Sequence, residues 1–338
     1  MPFDPDAAAA PGSGIFGLPF TRAESKIVLV PVPFDATTSY RRGTADGPAA
    51  ILAASAQVDL FDRRFGRVYE RGIFMQDESS DIRALSESAG QAAEPLIAGG
   101  GTTGDAERDA QILRHVNEAS EKVNQFVYEQ TSAILEEGKV PGVIGGEHSV
   151  PFGAIRACAE HHGPIGILHI DAHMDFRVAF EGFTWSHASI MHNVLTRVPQ
   201  VRRIVQVGIR DFGERELSFA KAEGERVVIH FDDEWTESLT GGERLADLCK
   251  AAVGPLPEKI YVSFDIDALD PSLCPHTGTP VPGGLAFNYA TILLETLKLS
   301  GKKVIGFDLV EVAPGPQTEP EWDANVGARV LYKLCGLV

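Results

Sequence analysis

Basic residues are scarce in this chain of 338 residues: 30 Lys and Arg stand against 47 Asp and Glu, for a formal net charge of −17. That balance excludes a dedicated nucleic-acid binder, whose phosphate contacts need a basic face, and equally a polybasic membrane-surface protein. Cysteine is rare as well. Cys158, Cys249, Cys274 and Cys335 lie far apart with no CxxC pair, which argues against a thiolate zinc site and against a disulfide framework. Cys158 and Cys335 have apolar neighbours and read as small buried hydrophobes. No run of about 18 apolar residues occurs, so no membrane span is expected. Met1–Phe20 has neither a basic start nor a sustained apolar stretch, and reads as a Pro/Ala/Gly-rich arm rather than a signal peptide. A cytoplasmic protein is expected.

What the chain does have is an ordinary globular balance, 44% hydrophobic and 23% charged, enough for a full core without covalent staples. Short apolar runs alternate with helix-like segments, the pattern of a parallel α/β sheet. Strands are predicted at Lys26–Pro33, Val140–Ile144, Ile165–Ile170, Arg203–Gly208, Val227–Phe231, Lys259–Phe264 and Lys303–Leu309. Several are apolar at every position, as strands buried on both faces are. Helical spacing predicts a long helix over Asp105–Glu137, with Gly138 as its C-cap, and further helices at Pro48–Ser55, Glu243–Val253 and Tyr289–Leu299. The Gly/Ser/Ala tract from Ser86 to Gly104 reads as a surface loop within one domain.

Acids and histidines gather directly after four of these strands: Gly145-Gly146-Glu147-His148-Ser149, Asp171-Ala172-His173-Met174-Asp175, Asp265-Ile266-Asp267-Ala268-Leu269-Asp270-Pro271, and Asp308-Leu309-Val310-Glu311. Ligands of open parallel sheets bind at the carboxyl ends of strands, so such clusters can converge on one crevice. In extended chain, side chains two apart share a side, which groups Asp171, His173 and Asp175, and separately Asp265 and Asp267. Each Asp taken alone is an ordinary turn residue or helix cap. Together with His148 they make a ligand set of oxygen and nitrogen without thiolate. It suits two divalent ions, Mn²⁺ first, with Ni²⁺, Co²⁺ or Zn²⁺ as alternatives. Four Asp charges would leave that centre near neutral, and slightly anionic with a bridging hydroxide, attractive to a cationic guanidinium.

The first three of these clusters, the last taken from Ser263, resemble the signatures of the ureohydrolase family, the arginases, agmatinases and their relatives. The resemblance runs from Val28 to about Leu334 and takes in Tyr40–Ile51 and Thr277-Gly278-Thr279-Pro280. It implies a single three-layer αβα domain over residues 26–338 with a central, mostly parallel sheet, preceded by an arm over 1–25. It implies that Asp171 and Asp265 bridge two metals, with His148 and Asp175 completing one site and His173 and Asp267 the other. Asp175 would orient the attacking hydroxide, Glu311 would bind the guanidinium, and His187, in Ser186-His187-Ala188, would carry the proton to the leaving amine. The match at His187 is looser, since Ala188 stands where Gly is usual, and a structural role for it stays open.

Substrate identity is less determined. The acidic reader of an α-amino group found in arginases has no counterpart at Gly213, which disfavours arginase and leaves the agmatinase-like branch, with agmatine, guanidinobutyrate, guanidinopropionate or guanidine as substrates. Arg177 reads either as a solvated loop residue or as a carboxylate binder of the formimidoylglutamase kind. Phe176, Phe183 and Trp185 either line an alkyl channel or pack the loop onto the core, and His276 is a candidate for the pocket rim. The remaining histidines, such as His115, His161 and His230, read as surface or satisfied core residues. Two further classes stay in view: a non-catalytic metal-binding scaffold, and a single-zinc deacetylase relative. A homo-oligomer, trimer or hexamer, is implied by the family, with Ile15–Phe20 as a candidate interface segment.

Overall fold

The computed structural model describes residues 3–10, 12–316, 318 and 321–338. Of the N-terminal arm, Met1, Pro2 and Pro11 lie outside the described residues, as do Gln317, Glu319 and Pro320 of the domain. Among the described residues eight strands form one parallel sheet: β1 (Ile27–Val32), β2 (Ile73–Met75), β3 (Val140–Gly145), β4 (Ile165–Ile170), β5 (Val201–Ile209), β6 (Val227–Phe231), β7 (Lys259–Asp265) and β8 (Lys303–Val310). All seven expected strands are present. The three-residue β2 is too short to carry a sequence pattern of its own.

Helices cover both faces: α1 (Gly47–Ser55), α2 (Ser80–Ala98), α3 (Ala106–Glu136), α4 (Phe152–His162), α5 (Ile190–Arg197), α6 (Glu214–Ala222), α7 (Asp232–Thr240), α8 (Leu245–Val253), α9 (Phe287–Leu299) and α10 (Asp323–Cys335). Helices α2 to α6 pack on one face through residues such as Val123, Ile155 and Val194. Helices α1, α8, α9 and α10 pack on the other through Ile51, Leu293 and Leu331. The apolar-throughout strands are the ones held between these layers, β1 and β4 being buried at every position. The three-layer α/β expectation holds. Gly138 closes α3 with φ 72°, and the Lys139 amide reaches back to the Ile134 carbonyl.

The tract from Ser86 to Gly104 corrects its reading as a loop. Most of it belongs to α2, which Ser79 caps by accepting from the Ile82 amide. Ile82, Ala89, Ala93 and Leu96 form its buried face against α3 and β1. Small side chains here permit close packing rather than marking a linker. Only Gly99–Asp105 is irregular.

The strand order is β2-β1-β3-β8-β7-β4-β5-β6. Between β3 and β4 the chain leaves room for two strands, and β8 and β7 later fill it. The four strands that carry the acid and histidine clusters are therefore adjacent at the centre of the sheet. Among the described residues no helix is long and apolar enough to cross a membrane.

The N-terminal segment packs on its own chain. Ile15, Phe16 and Leu18 are buried in the core on the α1/α10 face, the Phe16 amide donates to Ser55 Oγ at 2.9 Å, and its ring meets Tyr332 edge-on at 4.9 Å. This differs from the expectation that Ile15–Phe20 faces a partner. Phe16→Ala should cost about 3–5 kcal/mol and lower the urea midpoint equally at low and high protein concentration. A loss that vanishes on concentrating the protein would instead place the ring between subunits.

Candidate metal centre

His148 follows β3 in a tight loop and is buried. Ser263 Oγ donates to Asp308 Oδ1 at 3.0 Å, so towards His148 Nε2, 2.9 Å away, it can only accept. The His148 proton is thereby fixed on Nε2. Its Nδ1 lone pair points at three carboxylate oxygens, Asp171 Oδ2 at 2.9 Å, Asp175 Oδ2 at 3.1 Å and Asp265 Oδ2 at 3.2 Å, and makes no hydrogen bond. Facing three anionic oxygens, the buried Nδ1 needs either a proton or a cation among them, and against burial the oxygens raise His148 accordingly. The donor set thus fits a divalent ion.

A second group shares one carboxylate with the first. His173 Nδ1 lies 3.5 Å from Asp171 Oδ1 and 3.1 Å from Asp267 Oδ2. Asp171 therefore offers Oδ2 to the His148 group and Oδ1 to the His173 group. The motif loops are also tied to one another through backbone amides. Asp267 Oδ1 accepts from the Ala172 amide at 3.1 Å and Glu311 Oε1 from the His148 amide at 2.8 Å, while within its own loop Asp265 Oδ1 accepts from the Asp267 amide at 2.8 Å. Asp175 and Glu311 both adopt left-handed backbone, φ 56° and 62°, a conformation costing a non-glycine residue about 1–3 kcal/mol. Thr277 Oγ donates to the Glu311 carbonyl, and Gly278 passes so close that a Cβ there would come within 3.0 Å of Glu311 Oε2.

His169 corrects the reading of the remaining histidines as bystanders. Gln206 Nε2 donates to the Met174 carbonyl at 2.8 Å and to His169 Nδ1 at 2.9 Å. The carbonyl contact fixes the amide nitrogen there, so His169 carries its proton on Nε2 and donates it to Asp171 Oδ2 at 2.8 Å. It orients the Asp171 carboxylate and, so protonated, has no lone pair for a metal. The signal was in the spacing, since His169 stands two residues before Asp171 on the same side of β4.

Above this floor opens a cleft of about 290 Å³ whose wall includes His173, Asp175, His187, Arg177, Phe180 and Asp211. His187 is buried, with Nε2 3.4 Å from Ser39 Oγ. Arg177 is half exposed, lies over the Phe180 ring at 4.6 Å, and has Nε 3.5 Å from Glu216 Oε2. Two expected substrate contacts lie elsewhere. Trp185 faces a groove between α3, α4 and α5, where its ring packs on Phe152 at 4.8 Å and under Arg197. His276 does not line the cleft, because Asp323 of α10 takes both its amide and its Nδ1 at 2.9 Å. Phe176 and Phe183 are buried in the core, so the packing alternative holds for them. Phe180, Tyr40 and Phe212 are the aromatics of the cleft, and their positions in loops carry no periodic signal.

The sequence model of the arginase family matches residues 25–336. The chain belongs to the arginase family. Membership makes it a hydrolase acting on carbon–nitrogen bonds of guanidino or amidine groups. It is 32% identical over 319 residues to the N(1)-aminopropylagmatine ureohydrolase of Thermus thermophilus, covering 93% of this chain and 90% of that protein. It is 32% identical to the proclavaminate amidinohydrolase of Streptomyces clavuligerus over 91% of this chain and 87% of that one. The solved structure of proclavaminate amidino hydrolase from that organism superposes with a TM-score of 0.74 at 27% identity, covering 98% of each chain. The expected family and fold are thus established for this member.

The electrostatics of the floor follow from burial. Burial, then Asp267 and Asp171, push Asp265 well above the usual carboxylate range, and burial with Asp171 lifts Asp175 to about 6. Burial pulls His148 down, but Asp171, Asp175 and Asp265 outweigh it and raise it. A carboxyl raised to about 6 favours the compact fold in acid, and that contribution is lost as pH rises through about 6. Protein stripped of divalent ions should therefore lose melting temperature between pH 4 and pH 7. Mn²⁺ added back should raise it more at pH 7.5 than at pH 5. Equal increments at both pH values would show that protons and cations do not compete here.

Proposed function

We propose that this arginase-family member is a binuclear metal hydrolase of guanidino compounds, agmatinase-like, releasing urea and an amine. The observation that carries the reading is Asp171, whose two oxygens each serve one of two adjoining His/Asp groups beneath a cleft that holds His187. Asp171 and Asp265 would bridge two ions, with His148 and Asp175 completing one set and His173 and Asp267 the other. Mn²⁺ is the first choice for an oxygen and nitrogen set without thiolate. Divalent ions held there supply Lewis acidity that brings the pKa of water from about 15.7 toward neutrality.

The chain's own groups do the rest. Glu311 Oε2 accepts guanidinium N–H and holds the planar carbon over the floor. Asp175 holds the proton of the attacking water. Water adds to the guanidino carbon, the bond to the alkyl nitrogen breaks, and that nitrogen leaves with a proton. Burial, then His173, depress His187 to about 4, so at neutral pH its imidazole is neutral. It must take a proton within the site before passing it to the leaving nitrogen, which makes it a shuttle rather than a standing acid.

A second reading of the substrate rests on Arg177, whose half-exposed guanidinium stands on the cleft wall. It would bind a carboxylate on the substrate's tail, as in a guanidino acid or a formimidoyl amino acid. The four buried, free cysteines support a cytoplasmic setting, and a homo-oligomer accords with the family.

The test is urea release from agmatine, guanidinobutyrate, guanidinopropionate and guanidine with Mn²⁺ or Ni²⁺, together with formamide release from formiminoglutamate. Urea from at least one compound, with two ions per chain, is expected. One ion per chain would favour the deacetylase-like alternative, and no product from any compound would favour a scaffold. Asp171→Ala and Asp265→Ala should abolish turnover and deplete both ions, and full activity in either would remove the bridging role. Arg177→Ala should raise KM for guanidinobutyrate but not agmatine if Arg177 reads a carboxylate.

A further inference from the structure

Glu147 is fully buried and no Lys, Arg or His side chain pairs with it among the described residues. It stands beside His148, yet neither metal group includes it. Its carboxylate is turned away into a different part of the chain. Oε2 accepts from the Thr37 amide at 2.7 Å, and Oε1 accepts from Thr37 Oγ at 2.9 Å and from Ser149 Oγ at 2.5 Å. Since the Thr37 hydroxyl gives its one proton to Glu147, it can only accept from elsewhere, and it accepts from the His187 amide at 3.1 Å. Two residues on, Ser39 Oγ lies 3.4 Å from His187 Nε2.

The segment carrying Thr37 is itself fixed. The Glu147 amide donates to the Phe34 carbonyl at 2.8 Å. The Asp35 carboxylate accepts from Arg42 at 2.6 Å and from the Gly43 amide at 2.8 Å, and its amide donates to Ser86 Oγ on α2. His187, by contrast, begins a single short turn far along the loop that follows β4. A chain of hydrogen bonds of one polarity thus runs from the β3 loop, through Thr37, to the backbone of that turn.

We infer that Glu147 and Thr37 are positioning residues that fix the His187 turn over the metal-binding floor. The inference rests on the hydrolase reading only for its kinetic consequence, since the hydrogen-bond chain exists without turnover. Thr37→Val keeps the shape of the side chain and removes both bonds of the hydroxyl, while Thr37→Ser keeps both. An imidazole displaced by about an ångström should slow the step it serves by about 10- to 100-fold.

The experiment compares T37V, T37S and E147Q with the wild type, alone and combined with H187N. T37V and E147Q should lower kcat about 10- to 100-fold with KM within about twofold and bound metal unchanged, whereas T37S should keep most of the activity. Neither T37V nor E147Q should cost much more once His187 is already Asn. Losses that simply add to H187N, or depleted metal, would overturn the assignment, as would equal losses in T37S and T37V. E147Q makes the same test without touching Thr37, should T37V not fold. Independently of turnover, hydrogen exchange of the peptide spanning Phe183–Ile190 should quicken in T37V and not in T37S, and unchanged exchange would overturn the proposal. If the wild type releases urea from no compound, the hydrolase reading fails while the exchange measurement still decides the positioning role.

Discussion

Everything in this molecule is arranged around the burial of carboxylates close together. Asp171, Asp175, Asp265, Asp267 and Glu311 are each at most 4% exposed, and the basic side chains within ion-pair distance of this set are the imidazoles of His148, His169 and His173. Such a set is costly in a medium that cannot solvate it. The chain answers first with amides: Ala172 to Asp267 and His148 to Glu311 from one loop to another, and His173 to Asp171 within a loop. The loops bearing His148 and Ala172 are therefore each held by a carboxylate of another loop. Amides offset only part of the repulsion, since burial still raises Asp265, Asp175 and Glu311, and the two that face His148, Asp265 and Asp175, mark where divalent charge is wanted.

That interlock demands a particular sheet. The ligand loops must leave adjacent strands at one level, and the order β3-β8-β7-β4 supplies this. One step beneath the ligands, His169, Ser263 and Asp308 are registered across β4, β7 and β8. This buried polar row is the second tier of the site. Ser263 and Asp308 set the His148 tautomer, and His169 holds Asp171, so the row fixes ligand direction from below while the loop amides fix it from above. The left-handed backbone at Asp175 and Glu311 is tolerable only because both tiers over-determine these two residues.

Sequence pattern revealed the first tier and missed the second for one physical reason. The candidate ligands come in alternating clusters at strand ends, where Asp171, His173 and Asp175 stand out against the apolar run before them. His169 lies inside such a run and looks like a strand residue. Its partner Gln206 lies 37 residues on, across the loop and helix that separate β4 from β5, and Thr37 meets Glu147 across 110 residues. Those pairings depend on strand order, which the pattern of one strand does not encode. Trp185 failed differently. Its place in the same loop as Phe176 and Phe183 made it a candidate for the channel, but its ring packs on Phe152 and under Arg197, away from the cleft that His187 lines. The tract containing α2 was misread because Ala, Ser and Gly are as common in closely packed helices as in linkers.

The two arginines near the cleft show how a similar division separates scaffold from selectivity. Arg210 donates to the carbonyls of Gly208, Asp267, Ala268, Leu269, Val281 and Pro282. Its charge is thereby directed at backbone dipoles, and it fastens the loop bearing Asp267 to the loop that follows Thr279. Replacing it would loosen the floor rather than change what enters. Arg177 is fixed only along its inner edge, because Glu216 is itself held by the amides of Phe176 and Gly213. A guanidinium anchored on one side and stacked on Phe180 presents its outer edge in a defined direction. The cleft wall takes in Arg177, Asp211 and Phe212, and of these Asp211 is tied to the floor, its amide donating to the Ala172 carbonyl at 3.1 Å. The floor, held by the charge interlock, and the part of the wall where Arg177 would meet a substrate tail thus rest on different contacts.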